Sequence, residues 1–282
     1  MSISILCANY NNSIYLDDFF SSIENSTLRP NEIVFVDDGS TDDSLTVVSK
    51  YEKRLNIKTI KLAKNIGFAN ALNAGIEFCT AKYIARIDPD DKLAPTRLRM
   101  QFDYMESHPE VGVLGSQAQY FLSETGKLLV KTNMPKKTTS ISSAYYRGDN
   151  GVLHGTTMIR TSVLSGIRYI QSEVPSEDYG FFCRLMASGV AFANINETLT
   201  LVRVHSNSVS NNLPLETVAK VFRIREETLG IKQSKIKTRL THLSLRSYRN
   251  YLFEKNKSKK LAYLFTACLF GPSKLIRRLT RA

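Results

Sequence analysis

"EIVFVDDGSTDD", residues 32–43, packs three signals into one short stretch. An apolar, β-branched run ends in paired carboxylates, Asp37 and Asp38. Gly39 then marks a turn, and Ser40, Thr41 and Asp42 are residue types that cap helices. The order strand, acidic edge, turn, helix is that of one unit of a parallel α/β sheet. The flanks repeat it. "ISILCA" (residues 3–8) reads as a buried strand, and residues 14–27 place Leu16, Phe19, Phe20 and Ile23 at helical spacing. Downstream, residues 43–54 are helix-like, and "IKTIKL" (residues 57–62) is a third strand. "NIGFANALNAGIEFC" (residues 65–79) is a third helix, with Phe68, Leu72, Gly75 and Cys79 on one side; "KYIARID" (residues 82–88) is a fourth strand. The alternation predicts a parallel sheet with helices on both faces, whose ligands bind beyond the C-terminal strand ends.

The fourth strand runs into "DPDD" (residues 88–91), where Asp88, Asp90 and Asp91 crowd together. Such carboxylates are costly to desolvate unless a hard cation balances them, and Mg²⁺ or Mn²⁺ prefers oxygen ligands. The competing reading is a solvated acidic turn stiffened by Pro89. At Asp37/Asp38, helix capping explains residues 40–42 but not the pair. A carboxylate fixed there can accept from a nucleobase imide or a ribose hydroxyl. "PSEDYGFFCRL" (residues 175–185) puts Glu177 and Asp178 at a helix start, as dipole partners or as a general base. Arg184 reads as an ion-pair partner or a surface residue, and could help anchor that helix. His205, in "RVHSNSVS", sits at a strand end before a Ser/Asn-rich loop suited to a lid. His154 could line a pocket. Lys64 and Asn65 precede a helix whose N-terminus could face phosphate.

The middle of the chain is less regular. "VGVLGSQAQYF", "GKLLVK", "GTTMIR" and "TLTLVRVH" read as strands, residues 177–188 as a helix, and residues 131–150 as a loop that shapes specificity. Composition excludes several classes. The chain of 282 residues is 43% hydrophobic, far from disordered. Its four cysteines, Cys7, Cys79, Cys183 and Cys268, are scattered, with no CxxC, which argues against a zinc site or disulfide framework. No window reaches the ~18 apolar residues of a membrane span, and "LAYLFTACLFG" (residues 261–271) is stopped by Pro272. The start of the chain lacks the pattern of a signal peptide. A cytoplasmic location is the expectation.

Taken together, "ISILCANYNN", "IVFVDDGSTDDS", "NIGFANALNAGIEFCTAKYIARIDPDD", "SEDYGFFCRL" and "VRVHSNSVS" resemble, in family order, the family 2 glycosyltransferases. The resemblance implies a GT-A fold: a nucleotide-binding sheet flanked by helices, here with a basic helical C-terminal extension. It implies an inverting, metal-dependent enzyme that moves a sugar from a nucleotide-sugar, most often a UDP-sugar, to a hydroxyl. By position, Asp38 resembles the residue contacting uracil, with Asn9 and Tyr10 bordering the base and Asp37 beside it. Asp91 is similar to the metal-binding carboxylate, supported by Asp90, with Asp88 supporting or touching the ribose; Mn²⁺ or Mg²⁺ is the implied cofactor. Asp178 resembles the catalytic base, Glu177 a residue that orients the site, and His205 one near the diphosphate. Ala81 replaces a common glycine. The QxxRW motif of processive synthases is absent, which points to addition of a single sugar.

Charge divides the chain. Residues 215–282 carry 17 Lys and Arg against 4 acids, whereas residues 1–214 are nearly balanced. The expected domains are therefore 1–214, catalytic, and 215–282, basic and helical, with a boundary near 212–215. The clearest amphipathic piece is "KIKTRLTHLSLRSYRNYLFEK" (residues 235–255). Basic residues interleaved with Leu, Tyr and Phe suit an anionic membrane surface, peripheral on the inner face; a solvated appendage or dimer contact is the alternative. The resemblance points to a saccharide acceptor carried on polyprenyl diphosphate, and to O-antigen or capsule synthesis. No nucleic-acid module accompanies the basic tail. The competing function is a catalytically silent sugar-nucleotide-binding or membrane scaffold protein.

Overall fold

The computed structural model describes residues 2–205, 214–254 and 256–271. The chain divides into two units, Met1–Ser206 and Asn207–Ala282. The boundary expected at 212–215 falls partly outside the described residues, as does the lid expected after His205.

The first unit is built on a nine-stranded sheet. β1 (Ile3–Asn9), β2 (Glu32–Asp37), β3 (Ile57–Lys61) and β4 (Tyr83–Arg86) lie in the order β3-β2-β1-β4, all parallel. Between them run α1 (Ser13–Glu24), α2 (Ser44–Tyr51) and α3 (Phe68–Ile76). The helical spacing of α1 buries Leu16, Phe19, Phe20 and Ile23, and Phe20 stacks on Tyr51 of α2 at 4.9 Å. Each buried phenyl ring contributes about 1.5–3 kcal/mol, so the α1 face is a principal anchor of this half.

Past β4 the parallel expectation fails. The sheet continues through β8 (Met158–Arg160), β6 (Val111–Leu122), β9 (Ala191–Val204) and the two-residue β5 (Lys92–Leu93); β7 (Leu128–Lys131) pairs with β6. β8 is antiparallel to both β4 and β6, β9 is parallel to β6, and β5 is antiparallel to β9. Antiparallel neighbours need no crossover helix, so strand–helix alternation says nothing about this half.

Two helices here have no counterpart in the sequence reading. α4 (Arg97–Ser107) buries Arg97, Leu98, Gln101 and Met105, so half of its inward face is polar and the apolar period is hidden. α5 (Thr138–Arg147) lies within the stretch read as a loop, residues 131–150; it buries only Ile141, Ala144 and Tyr145 among Thr and Ser. α6 (Glu177–Ala187) forms where the spacing predicts it.

The second unit is helical: α7 (Leu215–Leu229), α8 (Lys235–Phe253) and α9 (Lys257–Phe270). Ser234 and Asn256 cap α8 and α9, accepting the N–H groups of Lys237 and Lys259. α8 and α9 meet where Ser244 Oγ donates to the Ala267 carbonyl at 2.9 Å. No helix among the described residues is long and apolar enough to cross a membrane.

Candidate active site

The C-terminal ends of β1 and β2 form the first wall. Asn9 Nδ2 donates to Asp37 Oδ1 and to Ser40 Oγ, both at 3.1 Å, while Asp37 Oδ2 accepts the Ser40 N–H. Asp37 is thus committed to holding the turn. Asp38 Oδ1 accepts from Ile66 N–H (2.8 Å) and Oδ2 from Gly67 N–H (3.1 Å), joining β2 to the loop before α3. Gly39, at φ +71°, lets the two loops touch: a Cβ there would stand 2.7 Å from the Lys64 carbonyl carbon and 2.8 Å from Asn65 N. Lys64 and Asn65 therefore lie directly over the Asp37–Asp38 turn, and Tyr10 stands half-exposed beside it. At the α3 N-terminus, the place expected to face phosphate, part of the donor set is already taken. Gln171 Oε1 accepts the N–H groups of Ala69 and Asn70 (3.1 and 3.3 Å), while Asp38 takes those of Ile66 and Gly67 in the loop before α3, so the Ala69 and Asn70 donors of the helix start are occupied.

The "DPDD" loop is the second wall. Arg86, at the end of β4, is buried and forks onto both oxygens of Asp88. Burial pulls its guanidinium down, but the charge and hydrogen bonds of Asp88 outweigh that and hold it above its usual value. Asp91 is buried; its Oδ1 accepts the Arg203 N–H at 2.8 Å. Arg203 Nε donates to the Asp90 carbonyl (2.7 Å) and Nη2 to Asp18 Oδ2 (2.6 Å). His205 Nε2 lies 3.1 Å from Asp90 Oδ2, with the Tyr15 ring 4.9 Å away. Below, Arg97 donates to the carbonyls of Gly155 (2.9 Å) and Arg86 (2.7 Å). Burial first, and the Arg86 charge after it, pull Arg97 down to about 9, so it remains a cation at neutrality. Gly155 permits the carboxylates to converge: a Cβ there would stand 3.1 Å from Asp88 Oδ2 and 3.4 Å from Asp91 Oδ2.

Asp90 and Asp91 are both pushed up, by burial first and then by neighbouring carboxylates. Their own surroundings therefore leave negative charge under-compensated. Among the described residues no three His, Cys, Asp or Glu side chains form a closed cage for a metal. An all-oxygen pair with vacant positions is nevertheless the donor set a Mg²⁺- or Mn²⁺-type ion takes when diphosphate and water complete its shell. The residues present fit such an ion.

The third wall is the start of α6. Asp178 Oδ1 accepts the Tyr179 N–H (2.7 Å) and Oδ2 accepts Asn150 Nδ2 (3.0 Å). Burial raises Asp178, while these donors and Arg86 act against it. Glu177 is buried, and its Oε2 has no hydrogen-bond partner. Burial, then the Asp178 charge, push Glu177 up to about 7. A raised carboxyl favours the folded state while protonated, so its contribution is complete below the unfolded value and lost as pH rises through the folded one. Glu177→Gln should therefore raise the Tm relative to wild type more at about pH 8 than at about pH 5. An identical difference at both pH values, by thermal melts, would remove the buried charge as the cause.

Residues 4–168 match the profile described as Glycosyl transferase family 2, more than half of the chain. The chain belongs to glycosyltransferase family 2. Among curated relatives it is 32% identical, over 82% of this chain and 87% of that protein, to the amylovoran biosynthesis glycosyltransferase AmsE of Erwinia amylovora. It is 26% identical, over 71% and 73%, to the UDP-Gal:alpha-D-GlcNAc-diphosphoundecaprenol beta-1,3-galactosyltransferase of Escherichia coli. Among solved structures it is similar to S. aureus TarS 1-349 in complex with UDP-GlcNAc, with a TM-score of 0.69, 20% identity, and coverage of 95% of this chain and 79% of that one. The fold is GT-A, and the protein is a glycosyltransferase.

All three acidic groups named from the glycosyltransferase sequence lie in the first unit, and the Arg86 charge acts on Asp91, Glu177 and Asp178 alike. Arg184 pairs with Glu173 at 2.6 Å, so of its two readings it is the ion-pair partner. His154 is buried against Tyr169, its Nε2 2.7 Å from the hydroxyl; burial and then Arg86 lower it well below the usual imidazole value. Sequence reasoning missed Arg86, Arg97, Asn150 and Gln171. An arginine inside an apolar strand was a signal for the first. Arg97 bonds Gln101 four positions on, but its Gly155 carbonyl, like the partners of Asn150 and Gln171, is too far along the chain to announce it.

Proposed function

We propose that this glycosyltransferase transfers one sugar from a UDP-sugar to a hydroxyl of a lipid-linked saccharide, inverting the anomeric centre, in assembly of a cell-surface polysaccharide such as O-antigen or capsule. The observation that carries the reading is that Asp91, of the metal-type pair, and the helix-start pair Glu177/Asp178 all feel the charge of one buried cation, Arg86. A divalent ion held by Asp91 and Asp90 would supply Lewis-acid stabilisation of the departing diphosphate.

The chain's own residues do the rest. Asn9, Tyr10 and Asp38 border the nucleobase; each Asp38 oxygen accepts one N–H from the loop and keeps a lone pair for an imide donor. Asp178 takes the proton of the acceptor hydroxyl as that oxygen bonds to the anomeric carbon. The bond from that carbon to the diphosphate breaks on the opposite face, so one displacement inverts the centre. The donors from Asn150 and Tyr179 orient Asp178 and favour its ionised form. Glu177, beside it, shapes the acceptor side. Lys64, Asn65, Asp88 and His205 line the path of ribose and diphosphate. The activity of the Escherichia coli galactosyltransferase, and the UDP-GlcNAc held by the similar TarS structure, support a UDP donor and a diphosphoundecaprenol-linked acceptor.

The test is release of nucleotide from a panel of nucleotide-sugars, with Mn²⁺ or EDTA and a lipid-linked acceptor mimic. Metal-dependent release from a UDP-sugar is expected; no release and no UDP binding would overturn the reading. Asp91→Ala should weaken Mn²⁺-dependent UDP binding by about tenfold or more while sparing metal-free binding. A titration with unchanged metal dependence would remove Asp91 from the site.

A further inference from the structure

The solvent face of α9 is inverted relative to a soluble helix. From residue 261 onward its exposed residues are Leu261, Ala262, Phe265 and Leu269, all apolar, with Leu261, Phe265 and Leu269 exposed by 68%, 68% and 63%. They recur at i, i+4 and i+8, so they form one stripe. The buried side is instead the small Ala267, against Ser244 of α8. A second exposed stripe, Ile236, Leu240 and Leu243, lies on the first half of α8.

Charge tells what covers the α9 face. Every charged residue of α9 lies in its first turn, as Lys257, Lys259 and Lys260, and α8 begins with exposed Lys235, Lys237 and Arg239. The region from residue 215 carries 17 basic against 4 acidic residues. Apolar side chains flanked by an excess of cations match an anionic lipid surface: acyl chains accept the stripe and headgroups accept the lysines. At 14 residues α9 is about 21 Å long, short of the ~30 Å hydrocarbon core, so it suits lying along the surface rather than crossing.

We propose that α9 is the membrane-docking element of this protein, seating Leu261, Phe265 and Leu269 in an anionic bilayer. This assigns the contact to α9 rather than to the basic amphipathic pattern of α8, and it stands independently of the catalytic reading.

The chain contains no tryptophan, so Phe265→Trp in the full-length protein installs a sole indole at the centre of the stripe. Its emission should be solvent-like in buffer and should shift to the blue with phosphatidylcholine vesicles containing phosphatidylglycerol. The shift should be much smaller with phosphatidylcholine alone or in high salt, and brominated lipid should quench it. Leu261→Ser with Leu269→Ser should lower co-sedimentation with the anionic vesicles by about tenfold or more, with an unchanged circular dichroism spectrum. Emission that does not move would overturn the proposal. So would emission already blue in buffer, the sign of cover by a second copy or by the chain's own end, and so would equal sedimentation of the variant. Vesicle binding needs neither donor nor metal, so its failure would leave the proposed transfer reaction untouched.

Discussion

Asp178→Asn is expected to lower sugar transfer by about 10³-fold while UDP binding stays within a few-fold of wild type. The amide keeps the volume and can still accept the Tyr179 N–H, but it has no basic oxygen to receive the acceptor proton. The Asn150 side chain, which donates to Asp178 Oδ2 at 3.0 Å, would then face either the amide oxygen or an amide N–H. With the amide oxygen on the Tyr179 N–H, the Asn150 amide can turn over and accept from the new N–H, so the fold should survive. Single-turnover transfer and UDP titration on the same preparation separate the two quantities. Parallel loss of both would mean that Asp178 shapes the nucleotide site, and the base would have to be sought at Glu177.

Arg86→Met is expected to be the most destabilising single change in the site. Arg86 is 2% exposed and forks onto Asp88. Its charge also opposes the upward push on Asp91, Glu177 and Asp178. Breaking a fully buried pair by deleting one partner typically costs about 3–5 kcal/mol; Asp88 is 34% exposed, so water screens part of the stranded charge and about 2–3 kcal/mol is expected here. In a chain of this size that corresponds to at most roughly 10 °C in Tm. Arg86→Met combined with Asp88→Leu should recover part of the loss, since the stranded carboxylate is gone. Thermal melts of the two single variants and the double decide it. A loss below about 1 kcal/mol would show that solvent, rather than Arg86, screens the cluster.

These two residues differ in how they could be found. Asp178 sits in a local pattern, two acids at a helix start, that chemistry can interpret unaided. Arg86 closes an apolar strand, and its meaning depends on groups from α6 that arrive almost a hundred positions later. The same contrast runs through the fold. β1, β2 and β4 follow from short apolar runs that are buried almost throughout, and α1 to α3 from the helical spacing of their buried side chains; β3, half-buried at the sheet edge, follows from its β-branched run. α4 does not, because its buried face carries Arg97 and Gln101, bonded to the carbonyls of Arg86, Gly155 and Thr156.

The amino-acid sequence by itself determined the parallel half of the sheet, the placing of carboxylates at strand C-terminal ends, the family, and the basic character of the region after residue 214. These are properties of short segments, set by local periodicity, turn chemistry and charge. Only the tertiary structure decided the antiparallel half of the sheet, Arg86 as the cation acting on Asp91, Glu177 and Asp178, the capping of α3 by Gln171, and the apolar outward face of α9. Each depends on which distant group fills a hydrogen bond, neutralises a charge or covers a surface. A one-dimensional pattern records that a side chain is polar or apolar; its partner, which sets the energy, is supplied by folding.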